Sequence, residues 1–256
     1  MENLKENIAI VTGAGQGIGE AIAYELAECG ATVFVVDVNL DAARAVANNI
    51  IEKKGEARFL KVDVGDPEDV RNMVKSVIDE FDRIDILVNN VGISPKNHLG
   101  DRIPTIEIDH EQWDLVLRVN LKSVFLCTQY VVREMTKRGK GAILNISSIS
   151  AKSGNSGPPA AHYCASKAGV ANFTIYTAKE LVQHGIRVNA IAPGTVQTAQ
   201  RKGTSPKYNE ILLKNIPMQR FAQPSEIARS AAFLVSDSAS YITGEILDVN
   251  GGAYMD

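Results

Sequence analysis

Seven short apolar runs, separated by longer amphipathic stretches, constrain this chain more than any other feature. They lie at Ile8–Thr12, Thr32–Asp37, Ala57–Asp63, Asp85–Asn90, Ala142–Ser147, Ile186–Ala192 and Glu245–Val249. Several are apolar at successive positions, as parallel strands are when helices cover both of their faces. Between them the pattern predicts helices over Gly17–Cys29, Leu40–Lys54, Pro67–Phe81 and Pro224–Val235. In "GDPEDV" Asp66 reads as a helix cap and Pro67 as the first helical residue. Strand–helix alternation from end to end predicts an α/β fold: one doubly wound parallel sheet of about seven strands, with helices on both faces. No repeat, low-complexity tract or linker divides the 256 residues, so a single domain spanning 1–256 is expected.

Hydrophobic residues make up 45% of the chain, enough for a sizeable core. Lys and Arg number 27 against 30 Asp and Glu, a net charge of −3 that gives no basic footprint for nucleic acid. Cys29, Cys127 and Cys164 form no C-x-x-C pair, as expected of free thiols in a reducing compartment. The opening "MENLKENIAIV" does not read as a secretory signal, and no uninterrupted apolar stretch approaches the ~18 residues of a membrane helix. The expectation is a cytoplasmic protein.

The stretch "IAIVTGAGQGIGEAIA" holds glycines at 13, 15, 17 and 19. Reading G-x-G-x-x-G from Gly13 puts Ile18 where the third glycine belongs, so that fingerprint does not apply. The run nevertheless follows the first strand and opens the first helix. There, missing Cβ atoms let a pyrophosphate approach backbone N–H groups at the helix N-terminus; the other use of such a turn is packing alone. The second strand ends in Asp37, eighteen residues beyond Gly19, near the ~20 at which a carboxylate grips the ribose hydroxyls of NAD. A carboxylate there repels the 2′-phosphate of NADP, and neither Gln16 nor Val38 offers that phosphate a cation. These residues point to NAD; the alternative is that Asp37 only caps its strand.

At "YCASK" the chain resembles the short-chain dehydrogenase/reductase family, whose fold is of the Rossmann type, from about Asn7 to Gly252. "TGAGQGIG" is similar to the family's T-G-x-x-x-G-x-G signature. It implies cofactor contacts at Gly13, Gly15, Gln16, Gly17, Ile18 and Gly19. "DV" at Asp63–Val64 resembles the segment that contacts adenine. "NNVG", with Asn90 and Gly92, resembles the N-N-A-G motif, Val91 replacing its alanine. "VNLKSVF" carries Asn120, and "PGTVQT" carries Pro193, Gly194, Val196 and Thr198 of the nicotinamide-side loop.

Tyr163 and Lys167, four apart, share a helix face. A tyrosine titrating near 10 is a poor base, but an adjacent ammonium and an oxidised nicotinamide both favour phenolate. Tyr163 is then expected to take the hydroxyl proton of an alcohol, or return it to a ketone oxygen. The resemblance implies that Lys167 binds the nicotinamide ribose, that a serine orients the substrate oxygen, and that Asn120 holds a water linking Lys167 to solvent. Counting from the strand selects Ser148, fifteen residues before Tyr163; counting back from the tyrosine selects Ser150. Ser148 is preferred, because a buried strand fixes position better than a loop, and period-two alternation turns Ser147 the other way.

His98 and His162 read as loop residues on the substrate side, His110 and His184 as surface residues, and no pair has metal-ligand spacing. Cys164 reads as a packing residue. Substrate contacts are expected from 94–109, 151–162 and a lid at about 199–217. These carry Lys96, His98, Arg102, Arg201, Lys202, Lys207 and Lys214, which either face solvent or recognise an anionic group. The expected activity is NAD(H)-dependent hydride transfer with a secondary alcohol or ketone, small and polar or anionic. The alternatives are reduction of a 3-oxoacyl thioester and a non-catalytic NAD-binding scaffold. The resemblance also implies a homotetramer built through the helices near Asn120–Lys137 and Tyr163–His184.

Overall fold

The computed structural model describes residues 2–153, 160–201 and 204–255. The apolar runs form β1 (Ile8–Thr12), β2 (Thr32–Asp37), β3 (Glu56–Lys61), β4 (Ile86–Asn89), β5 (Gly141–Ile146), β6 (Ile186–Pro193) and β7 (Ile246–Val249). They pair in parallel in the order β3-β2-β1-β4-β5-β6-β7. Ile10 of β1 stands beside Phe34 on one side and Leu87 on the other. The chain winds outward in opposite directions from β1 and β4, which opens a crevice at the carboxyl ends of those strands.

Both faces of the sheet are covered, which is why its strands are apolar at successive positions. Ala9 and Val11 of β1 pack in one layer with α1 (Gly17–Glu28), α2 (Leu40–Glu52) and a late helix at Pro224–Val235. Ile8 and Ile10 pack in the other layer with α3 (Pro67–Phe81) and helices that follow β4 and β5. The architecture is the doubly wound sheet the alternation predicts. Asp66 caps α3 as expected, its Oδ1 accepting from Glu68 N at 2.8 Å and Asp69 N at 3.0 Å.

Several boundaries shift by a residue or two from expectation, and three of the shifts bear on the site. β3 stops before Asp63, whose N–H turns to Asp69 Oδ2 at 2.9 Å. β5 ends at Ile146, before Ser147. β6 runs on to Pro193, because β7 continues alongside it as far as Val249. After β4, α4 (His110–Leu117) and α5 (Ser123–Arg138) form one helical run interrupted by a π turn at Arg118–Lys122. By length and composition alone this run is apolar enough to cross a membrane, though charged residues interrupt it. In the fold it packs on α3, β4 and β5, burying Val116, Asn120, Val124 and Val131. Short α6 (Ser150–Ser153) and long α7 (Ala161–Leu181) flank β5 and β6; α8 (Pro206–Lys214) and α9 (Pro224–Val235) complete the chain.

Candidate active site

A cleft of about 690 Å³ opens at the carboxyl ends of the strands. Its first wall is the turn between β1 and α1. Gly13 and Gly17 line it with φ of +61° and +66°, a backbone conformation that disfavours side chains. Gln16 and Ile18 line it too, and no side chain caps the α1 N-terminus, so its first N–H groups remain for an anion. The other two glycines serve packing and do not line the cleft. A Cβ on Gly19 would lie 2.2 Å from Gly13 O, and one on Gly15 would lie 2.9 Å from Asp37 Oδ2. Both let the turn close. Asn90 fastens it from β4, donating through Nδ2 to Thr12 O and Gly13 O, each at 3.0 Å.

Asp37 projects from the end of β2 into the same cleft. Its Oδ2 accepts from Gly15 N and its Oδ1 from Asn39 N, each at 2.9 Å. Two backbone N–H groups thus orient the carboxylate, and lone pairs remain for ribose hydroxyls. Asp63 and Val64 line the next stretch. Asp63 accepts from Gly65 N at 2.9 Å and pairs with Arg118, whose guanidinium occupies the space beside Gly65. Arg118 was not among the expected site residues; only its place in the π turn, two residues before Asn120, brings it here.

Farther along, the cleft is lined by Gly92, Ser148, Tyr163, Lys167, Pro193, Val196 and Thr198. Ser147 also borders the cleft, but its Oγ is taken: it donates to Lys167 O at 3.0 Å and ties the end of β5 to α7. Ser148 is hydrogen-bonded to the Tyr163 side chain. Ser150 is buried outside the cleft and donates its backbone N–H to Ser148 Oγ at 3.1 Å. Burial raises the Tyr163 pKa, and the Ser148 hydrogen bond opposes that rise. Lys167 Nζ donates to Ile146 O at 2.7 Å, and burial pushes its pKa down to about 8. Below that value Lys167 remains an ammonium, its Nζ 6.0 Å from the centre of the Tyr163 ring. Asn120 is wholly buried: its Oδ1 accepts from Ile93 N at 2.8 Å, while Nδ2 donates to Ile93 O at 2.9 Å and Ser166 Oγ at 3.0 Å. Its amide pins the turn at Gly92–Ile93 against Lys167, where a Cβ on Gly92 would stand 3.2 Å from Nζ.

The family model described as Enoyl-(Acyl carrier protein) reductase matches residues 13–254. The chain is a short-chain dehydrogenase/reductase. It is 41% identical to the 3-oxoacyl-[acyl-carrier-protein] reductase FabG of Staphylococcus epidermidis, over 96% of this chain and 98% of that protein. A 3-oxoacyl-[acyl-carrier protein] reductase of Brucella melitensis, solved with bound NAD, superposes with a TM-score of 0.91 at 36% identity, covering 99% and 93% of the two chains. A Beutenbergia cavernae structure with bound NADP also gives 0.91, at 35% identity and 98% coverage of both. An oxidoreductase fold and a nicotinamide cofactor are thus common ground.

In this short-chain dehydrogenase/reductase the substrate end is built from separate loops. Lys96, Arg201 and Thr204 line the cleft. His98, Lys207 and Lys214 are exposed, and neither they nor Arg102 is part of the lining. Lys202 lies outside the described residues, as does 154–159 of the second expected segment. His162 is corrected from a loop to the first turn of α7, fully buried. Its Nδ1 accepts from Tyr163 N at 2.9 Å and its Nε2 lies 3.3 Å from Gln112 Oε1; burial lowers its pKa. His110 and His184 are on the surface.

Proposed function

We propose that this chain carries out NAD(H)-dependent interconversion of a ketone and a secondary alcohol, with a 3-oxoacyl thioester as its substrate. The convergence of Ser148, Tyr163 and Lys167 on one cleft whose other end holds Asp37 carries this reading. The glycine turn, the uncapped α1 N-terminus and Asp37 fit a dinucleotide. When bound, its nicotinamide supplies or accepts the hydride.

The protein's own part is proton handling and orientation. Ser148 holds the substrate oxygen beside the Tyr163 hydroxyl. In reduction Tyr163 donates its proton to that oxygen; in oxidation it removes the alcohol proton, helped by the positive charge of oxidised nicotinamide. Lys167 keeps one N–H on Ile146 O and has two others for the nicotinamide ribose. Asn120 holds the 92–93 turn and retains an Oδ1 lone pair for a water between Lys167 and solvent. Gly13, Gln16, Gly17 and Ile18 receive the pyrophosphate, Asp63, Val64 and Asn90 border the adenosine side, and Pro193, Val196 and Thr198 border nicotinamide.

The relatives' names favour the thioester over the small polar alcohol expected first. The preference for NAD over NADP rests on Asp37, whose carboxylate opposes a 2′-phosphate. A small anionic ketone is the second reading, favoured by Lys96 and Arg201 in the cleft. The lid at 199–217, a cytoplasmic location and a homotetramer belong to the same proposal; Phe125 and Tyr176, 44% and 65% exposed on α5 and α7, suit a subunit contact. Sedimentation as a monomer would remove that last element. The decisive assay follows NADH and NADPH oxidation with 3-oxoacyl thioesters and small neutral or anionic ketones, with Tyr163→Phe as control. Turnover of thioesters, fastest with NADH and lost in the control, is expected; no turnover of any ketone, with NADH still bound, would favour a non-catalytic scaffold.

A further inference from the structure

We propose that Lys96 and Arg201 form a two-cation seat for an oxyanion carried by the substrate, in the same cleft as Ser148 and Tyr163. The inference rests on the ketone-reductase reading and specifies what that ketone must carry.

The two residues come from loops far apart in sequence. Lys96 follows β4, and Arg201 lies in the segment between β6 and α8. Each is held by neighbours of its own. Lys96 Nζ donates to Thr204 Oγ1 at 2.7 Å. The Arg201 guanidinium lies 4.0 Å from the centre of the Phe221 ring and donates to Asn209 Oδ1. Stacking on an aromatic face fixes the plane of the fork while leaving its edge able to meet a planar oxyanion.

Among the described cations of these segments, only these two line the cleft; Arg102, also half-buried, does not. Lys207 and Lys214 are exposed and solvated, whereas Lys96 and Arg201 are half-buried and line the cleft. Burial lowers the pKa of both, and the Arg201 charge lowers that of Lys96 further. Both charges thus lie on the wall of one cleft, where water screens them less than at the surface. An oxyanion between them offsets both the repulsion and the lost hydration. Asp101, the carboxylate on the Lys96 loop, accepts from Ser205 Oγ at 2.7 Å. An arginine fork with a lysine point charge suits a carboxylate or a phosphate alike. Two sources supply that chemistry: the free carboxylate of a small oxo acid, or a phosphate on the arm of a thioester.

Four substrates sharing one reacting group separate these sources: 3-oxobutanoate, its methyl ester, its N-acetylcysteamine thioester and its coenzyme A thioester. The quantity read is the ratio of kcat/KM for each charged member to that of its neutral counterpart. The wild type is expected to prefer one charged member by about 30-fold or more. That preference falls by a similar factor in Arg201→Met and further with Lys96→Met added. It falls part-way in Arg201→Lys, which keeps the charge but not the fork, and is untouched in Lys207→Met. The pair that shows the preference names the source. A wild type indifferent to charge, or a preference that survives the double variant, overturns the seat while leaving the reductase reading intact.

If no ketone turns over, the reductase reading fails and a second measurement decides. Calorimetric titration of the NAD-loaded protein with malonate and with 4′-phosphopantetheine is expected to show binding to the wild type. Binding weakens at least tenfold in the double variant. Equal binding by both proteins, or none by the wild type, overturns the proposal.

Discussion

The two ends of the cleft are built on different principles. At the dinucleotide end the lining comes from strand ends and the turn just after β1, and its polar contacts are largely backbone: Gly15 N–H and Asn39 N–H on Asp37, Thr12 O and Gly13 O on Asn90. At the substrate end the lining comes from loops between β4 and α4 and between β6 and α8, and its contacts are side chain to side chain, as Lys96 with Thr204 and Arg201 with Asn209. Backbone contacts at a strand end do not change when a neighbouring side chain does, so the first end is suited to a ligand shared by a whole family. The second can be rewritten by single substitutions without disturbing the sheet.

The comparison breaks most sharply in the middle, at the residues proposed to carry the chemistry. Tyr163→Phe removes the proton donor while keeping the ring and its packing. It is expected to lower kcat about 10³-fold, with NADH affinity changed less than threefold by fluorescence titration. A comparable fall in cofactor affinity would show that Tyr163 holds the dinucleotide rather than moving a proton.

The next largest effect sharpens the dinucleotide end alone. Asp37→Ser combined with Val38→Arg removes the carboxylate and provides a cation for a 2′-phosphate. The kcat/KM ratio of NADPH to NADH is expected to rise about 100-fold, equal to about 2.7 kcal/mol. The charged-to-neutral substrate ratio should stay where it was. Movement of both ratios together would show that the two ends are not independent.

How much of this could be read from residues alone follows the same division. β1, β2, α3 and α9 fall at the expected residues, because local rules decide them: successive apolar residues for buried parallel strands, and a capped proline start for α3. Alternation along the run that ends in β5 set Ser147 apart, whose Oγ donates to Lys167 O, and anchoring on the strand rather than the loop favoured Ser148 over Ser150; Ser148 is the one hydrogen-bonded to Tyr163. Arg118 lies in a π turn, which helical periodicity does not mark, and its partner Asp63 is 55 residues away in sequence. The packing roles of Gly15 and Gly19 depend on Asp37 and Gly13 O, partners that only the closed turn brings near. Which of the loop cations enter the cleft was open for a related reason: nothing in spacing brings residue 96 to residue 201.

Lys167 joins the two ends and carries the smallest of the expected effects, one of stability. Burial holds its pKa at about 8, below the 10.5 of an exposed lysine. Between those values the unfolded chain binds the proton more tightly than the fold does, so stability rises with pH from about 8 to about 10.5. Below that window the buried ammonium costs about 3 kcal/mol. Lys167→Met removes this cost and also the hydrogen bond to Ile146 O, a loss of about 1 kcal/mol. The variant is therefore expected to be inactive yet about 2 kcal/mol more stable at pH 7, with the gain shrinking toward pH 10, as read from urea unfolding midpoints. A variant less stable at pH 7, or a gain that does not change with pH, would mean that Lys167 is not strained by its burial. With the predicted result, the charge at this junction is maintained against the stability of the fold, and its use lies in the ligand it holds.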